Sequence, residues 1–267
     1  MPNPPRTSAP TAAEIWAAGD YADVCDRMIP GLGARLVEVA TVRRGEEVLD
    51  VAAGTGNAAL PAARHGAAVT ALDITPALLE AGAGRAAAAG LEVNWVHGDA
   101  QDLPFAAASF DRVLSCLGVQ FCADRAAAAA ELLRVCRPGG RIALIAWTPE
   151  GFIGQVLAAV SRASGATGSS PLEWGREDVV EELFGDAGEV TTSRGQVEMA
   201  DESAAAWVDY MAAAYGPLLR ARLALRERGA WEPLRAELCD IAADHDARDG
   251  SAFAASAEYL CALIAPE

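Results

Sequence analysis

The stretch Val48-Leu49-Asp50-Val51-Ala52-Ala53-Gly54-Thr55-Gly56-Asn57-Ala58-Ala59-Leu60 decides the fold. Three apolar residues, Val48, Leu49 and Val51, are interrupted only by Asp50, and a run of small residues then passes into the Ala-rich segment Ala58–Arg64. An apolar run, a glycine turn and a helix-forming segment in that order predict a strand, a tight turn and a helix. Glycine has no Cβ to hold a ligand off, and the first helical turn offers free N–H groups. The junction therefore predicts a cofactor site.

Gly54-x-Gly56-x-x-Ala59 also fits a loose dinucleotide fingerprint. Asp50 argues against that reading, because a carboxylate at the mouth of the strand would face the anionic pyrophosphate of NAD or FAD. S-adenosylmethionine carries no phosphate, and its ammonium and sulfonium suit an acidic strand end. On these residues the chain resembles the class I S-adenosylmethionine-dependent methyltransferases, in the small-molecule branch related to the ubiquinone/menaquinone C-methyltransferases. Ala52 stands where the commonest form of the motif has its first glycine. The resemblance implies a three-layer, Rossmann-like α/β fold with a seven-stranded, mostly parallel sheet, an antiparallel final strand and an inserted helical cap. It also implies methyl transfer from S-adenosylmethionine, leaving S-adenosylhomocysteine.

Around the junction, Asp50, Ala52, Gly54 and Gly56 are the first cofactor-binding candidates. A second apolar run, 67–72, is closed by Asp73, where a doubly wound fold places the acidic residue that accepts from the ribose hydroxyls. Ile74 then packs on the adenine. The third strand, expected over Glu92–His97, delivers Gly98-Asp99-Ala100-Gln101-Asp102-Leu103-Pro104-Phe105, which resembles the family's adenine motif. There Asp99 accepts from the adenine amino group, and the backbone at Ala100 serves a ring nitrogen. A fourth strand over 113–117 brings Ser115 and Cys116 to line the cofactor, with Gln120 against its methionine end or the substrate. The turn Arg137-Pro138-Gly139-Gly140 resembles the one that precedes the family's fifth strand, here Arg141–Trp147.

Residues 1–10 are Pro-rich and expected to be disordered. Residues 11–41 are predicted as a helical lid in which Thr11 caps the first helix, and further helices run from Tyr21 and over Arg35–Thr41. Within it, Trp16-Ala17-Ala18-Gly19-Asp20-Tyr21 resembles the family's N-terminal lid. That likeness places Tyr21 against the cofactor, while Trp16 reads as a packing anchor. The cofactor-binding core takes 42–200 and 254–267, with late strands over 189–199 and Glu258–Ile264. Between those strands, 201–253 reads as a helical substrate cap carrying Trp207, Tyr210, Met211 and Tyr215.

A formal net charge of -16, with no Lys in the chain, makes a nucleic-acid substrate unfavourable. No apolar run is long enough for a membrane span, and the N-terminus lacks a secretory signal pattern, so a cytoplasmic protein with a small-molecule substrate is expected, as monomer or homodimer. The six cysteines show no C-x-x-C spacing, and no metal site is expected. Methyl transfer from an activated sulfonium asks chiefly for alignment, and the sequence names no general base. His245, in Asp244-His245-Asp246, is the one weak catalytic candidate. Two rival readings remain: an enzyme that keeps the cofactor pocket for a non-methylating reaction such as cyclisation, and a catalytically silent binding partner.

Overall fold

The computed structural model describes residues 10–248 and 252–267, so residues 1–9 of the expected tail lie outside them. Its strands are β1 (Glu47–Val51), β2 (Ala68–Asp73), β3 (Asn94–His97), β4 (Phe110–Cys116), β5 (Cys136–Trp147), β6 (Gly188–Asp201) and β7 (Phe253–Pro266). They form one sheet in the order β3-β2-β1-β4-β5-β7-β6. The pairs β2–β3, β1–β2, β1–β4 and β4–β5 are parallel, and β7 runs antiparallel to both β5 and β6. This is the Rossmann-like arrangement expected above.

Strand order reverses beside β1, with β2 and β3 on one side and β4 on the other. In an open α/β sheet, ligands enter at the carboxyl ends of the strands at such a reversal. β1 is buried from Val48 to Val51, as a central parallel strand must be, which is why its sequence is a near-continuous apolar run.

Helices α1 (Ala12–Trp16), α2 (Tyr21–Met28) and α3 (Leu32–Val39) precede the sheet. Thr11 and Glu14 form a reciprocal capping box at the start of α1. The crossovers are α4 (Ala59–Arg64), α5 (Pro76–Ala88) and α6 (Arg125–Val135); α7 (Phe152–Ser164) and α8 (Glu177–Phe184) follow β5. Three helices, α9 (Ala204–Ala214), α10 (Gly216–Arg226) and α11 (Trp231–Asp244), lie between β6 and β7. Val48 packs on the face that carries Leu36, Ala59, Phe152 and Trp207, whereas Leu49 and Val51 pack on the face of Leu132, Val135 and Phe184. The period-2 alternation thus puts Asp50 on the same side as Val48, under α4.

Several boundaries differ from expectation, among them β4, which begins at Phe110 instead of Val113, and α3, which covers Leu32–Val39 instead of Arg35–Thr41. β3 begins at Asn94 instead of Glu92. The Arg137–Gly140 segment belongs to β5, where a register shift opposite Phe110 and a φ of 74° at Gly139 mark a bulge. β7 starts at Phe253, since the weakly patterned Ala254-Ala255-Ser256-Ala257 pairs with β6 along its whole length, from Asp201↔Phe253 to Gly188↔Pro266. Small residues hide a strand from hydrophobic periodicity, but a long antiparallel partner enforces it.

Candidate functional site

The turn after β1 is held by the neighbouring strands. Ala53 N–H donates to the Leu72 carbonyl at 2.9 Å, and Gly54 N–H donates to Asp73 Oδ2 at 2.8 Å. Asp73 Oδ1 accepts from Thr75 N–H at 2.8 Å, so one carboxylate ties the turn after β1 to the turn after β2. Each of its oxygens keeps a lone pair for a further donor. Asp73 is buried, and burial pushes its carboxyl up while the Gly54 and Thr75 N–H groups pull it down. The turn also carries two left-handed residues, Ala52 at φ 53° and Gly54 at φ 56°.

A cleft opens above these turns, at the carboxyl ends of β1, β2 and β4. Ala52, Gly54, Asp73 and Ile74 line it from the first two turns, Asp99, Ala100 and Gln101 from the third, and Tyr21 and Trp16 close it from the N-terminal helices. Its described lining holds two carboxylates and no Arg or His. Such a donor-poor, acid-lined cleft suits a cationic ligand with a diol and an amino group, and repels a pyrophosphate. Asp99 accepts from Gln101 N–H at 2.9 Å and from the Gln101 amide, and Gln101 Oε1 accepts from Asp124 N–H at 2.7 Å, which fixes the loop below β3.

A family profile described as a methyltransferase domain matches residues 49–144. The uncharacterised protein Rv1403c of Mycobacterium tuberculosis is 45% identical over 226 residues, covering 81% of each chain. A malonyl-[acyl-carrier protein] O-methyltransferase of Serratia marcescens is 39% identical over 126 residues, 47% of this chain and 48% of that protein. The crystal structure of the Bacillus subtilis YcgJ protein superposes with a TM-score of 0.62 at 20% identity, covering 89% of this chain and 98% of that one. The chain belongs to the class I S-adenosylmethionine-dependent methyltransferases.

Within this methyltransferase, seven of the twelve expected cofactor residues line the cleft: Tyr21, Ala52, Gly54, Asp73, Ile74, Asp99 and Ala100. The other five are not among its lining residues, each for a visible reason. Asp50 lies beneath the turn, 1% exposed, and its Oδ2 accepts from Ala59 N–H at 2.7 Å, so it holds the start of α4 instead of facing the ligand. Gly56, at φ 88°, is packed against side chains, and a Cβ there would press on Trp95 and Leu60. Ser115 donates to the Val51 carbonyl at 2.8 Å and accepts from Val119 N–H, clamping the ends of β1 and β4 together. Gln120 donates to the Leu117 carbonyl and accepts from Trp147 N–H, bridging β4 and β5. Cys116 is buried in the apolar core cluster with Val48 and Ile145, where burial pushes its thiol well up. His245 sits at the end of α11, 2.9 Å from the Gln155 amide nitrogen and beside the Phe152 ring, away from the cleft lining.

Residues not expected at the cofactor complete the site. Trp16 makes edge-on ring contacts to Tyr21, Phe121 and Tyr215, at centroid distances of 5.4, 4.8 and 5.6 Å, so it joins the N-terminal helices, the turn after β4 and the start of α10. Phe121 follows β4 in a 3₁₀ turn over Val119–Phe121 and carries no motif. Gly118 is legible in the sequence only as a small residue at a strand end. A Cβ there would lie 2.6 Å from the Ala52 Cβ and press on the Ala52 carbonyl. Gly118→Ala is expected to cost about 2 kcal/mol by overpacking and to weaken S-adenosylhomocysteine binding roughly ten-fold, both read by thermal unfolding and calorimetric titration.

A second cavity adjoins the cleft. Trp16, Tyr21, Leu117 and Phe121 line both. Its far wall comes from α2, α7, β6, α9 and α10. Of the aromatic cap residues expected to meet a substrate, Tyr215 reaches it, as does Met211, while Tyr210 turns away to donate to Asp23 at 2.6 Å under the Arg27 guanidinium.

Proposed function

We propose that the protein transfers the methyl group of S-adenosylmethionine to an O, N or C atom of a small molecule held in the second cavity. The observation that carries this reading is the shared wall of Trp16, Tyr21, Leu117 and Phe121 between an acid-lined cleft and an apolar chamber. A methyl donor on one side and an acceptor on the other meet there.

Asp73 would accept from the ribose hydroxyls through the lone pairs left by Gly54 and Thr75. Asp99 would accept from the adenine amino group, and Ile74 would cover one face of the ring. The bound cofactor supplies an electrophilic methyl on a sulfonium. The faces of the aromatic side chains at the shared wall carry negative quadrupole density that favours such a cation. Residues 11–41 would act as the lid over the cofactor, and α9, α10 and α11, the described helices of the expected 201–253 cap, as the cover over the acceptor, with 249–251 outside the described residues. Alignment of donor and acceptor is the chief demand on the protein. The net charge of -16 favours a small metabolite over a nucleic acid.

Parallel calorimetric titrations with S-adenosylmethionine, S-adenosylhomocysteine and NAD test the cofactor assignment. Micromolar binding of the first two without NAD is the expected result, and folded, ligand-free protein that binds neither overturns it. Asp99→Ala should weaken S-adenosylhomocysteine about ten-fold, the loss of one charge-assisted hydrogen bond; unchanged affinity removes Asp99 from the adenine site.

A further inference from the structure

We infer that the second cavity selects an uncharged, apolar acceptor and that no protein side chain takes a proton from it. This rests on the methyl-transfer reading above. α2 supplies Met28, with Ile29 just beyond it, α7 supplies Val156 and Leu157, β6 Met199 and α9 Met211. None of the described residues lining the cavity is an Asp, Glu, His or Arg. An anion placed there would lose its water and gain no charged partner, at a cost of several kcal/mol, and a cation would find only the ring faces of the shared wall, worth about 2 kcal/mol against the water it loses. An apolar molecule would gain about 0.8 kcal/mol for each methylene it buries.

The polar groups that do line the cavity are the indoles of Trp16 and Trp147 and the phenols of Tyr21 and Tyr215. Burial pushes both phenols further above their ordinary range, and the Cys25 and Cys116 thiols near Tyr21 are pushed up in the same way. Each therefore stays protonated at neutral pH and serves as a donor, not a base. The transfer would then balance without the protein: an electron pair of the acceptor, a lone pair on O or N or a π pair on C, would form the new bond to the methyl carbon, and the sulfur would keep the electron pair of the broken C–S bond. Any proton on the acceptor atom passes to water. The Met28, Met199 and Met211 side chains around this chamber are unbranched and adaptable, which suits an apolar guest of irregular shape.

The test compares three probes of one ring system at pH 7.5, with and without S-adenosylhomocysteine: 2-naphthol, which is uncharged, 2-naphthoate, which is anionic, and 2-naphthylmethylammonium. Calorimetry is expected to show 2-naphthol binding at least ten-fold more tightly than either ion. Val156→Trp, which fills the chamber, should abolish 2-naphthol binding and leave S-adenosylhomocysteine binding unchanged. Equal or tighter binding of either ion, or no binding of 2-naphthol to the wild-type protein, overturns the inference. So does undiminished 2-naphthol binding by folded Val156→Trp. The wild-type comparison decides even if that variant fails to fold. Loss of S-adenosylhomocysteine binding alone would overturn the cofactor reading while the probe selectivity stood, so the two failures are distinguishable.

Discussion

Asp73→Ala should weaken cofactor binding at least a hundred-fold and destabilise the fold in one step. The carboxylate accepts from Gly54 N–H and from Thr75 N–H, each at 2.8 Å and in a buried setting. Removing it leaves two buried donors without partners, at roughly 1–3 kcal/mol each. The turn that carries Ala52 and Gly54 then loses its tie to β2. The ligand loses its hydrogen bonds to a charged acceptor as well, each worth about 1.5–3 kcal/mol, so at least a hundred-fold weaker binding of S-adenosylhomocysteine is expected. Asp73→Asn keeps one carbonyl acceptor and should fall between the wild type and Asp73→Ala in both measurements. Calorimetric titration paired with urea unfolding reads the two effects separately. A folded Asp73→Ala protein with wild-type affinity would remove Asp73 from the cofactor site.

The contrast between Asp73 and Asp50 shows what the sequence could and could not reveal. Both are acids in or just after an apolar run, and both are expected at the cofactor, Asp50 by its cationic end and Asp73 by its ribose hydroxyls. Asp73 is the last residue of β2, so its side chain emerges at the sheet edge and reaches the cleft. Asp50 is one residue inside the end of β1, on the face covered by α4, and its carboxylate lies beneath the turn, where Oδ2 accepts from Ala59 N–H. Strand alternation gives the face, but only the packed position of the following helix decides whether that face meets ligand or backbone. Ser115 and Gln120 are off the cleft lining for a related reason. A polar residue at a buried strand end has backbone groups to satisfy, and here those groups engage both side chains.

The first five strands, the crossovers and the Gly-rich turn are legible because each rests on local pattern: apolar runs, glycines and helix starts within a few residues. The shared aromatic wall is not legible, because Trp16, Phe121 and Tyr215 come from three distant segments. Their meeting depends on how α1 and α10 settle over the sheet edge. Trp16 as a packing anchor follows from its neighbours in sequence. It does pack, and the surface it packs against is the boundary between the two cavities.

Asp50→Asn should change the pH dependence of stability more than any other single substitution. Burial raises the Asp50 carboxyl to about 7, aided by the nearby Asp73, while the Ala59 N–H lowers it only in part. Its Oδ1 has no hydrogen-bond partner among the described residues. An unfolded Asp titrates near 3.9. Between about pH 4 and pH 7, therefore, the folded protein holds a proton that the unfolded chain has released. Stability then falls as pH rises through that window and levels off above it, the reverse of a carboxylate that gains an Arg partner on folding. From pH 5 to pH 8 the Asp50 contribution falls by roughly 3 kcal/mol. In the variant, the side-chain amide carbonyl can still accept from Ala59 N–H, and any cost of the unpaired amide nitrogen is the same at every pH. The wild type should thus lose stability relative to Asp50→Asn between pH 5 and pH 8, as read by urea unfolding at both. Parallel stability curves for the two proteins would mean that Asp50 is already ionised at pH 5. Its buried charge would then need a partner that the hydrogen bond from Ala59 alone does not supply.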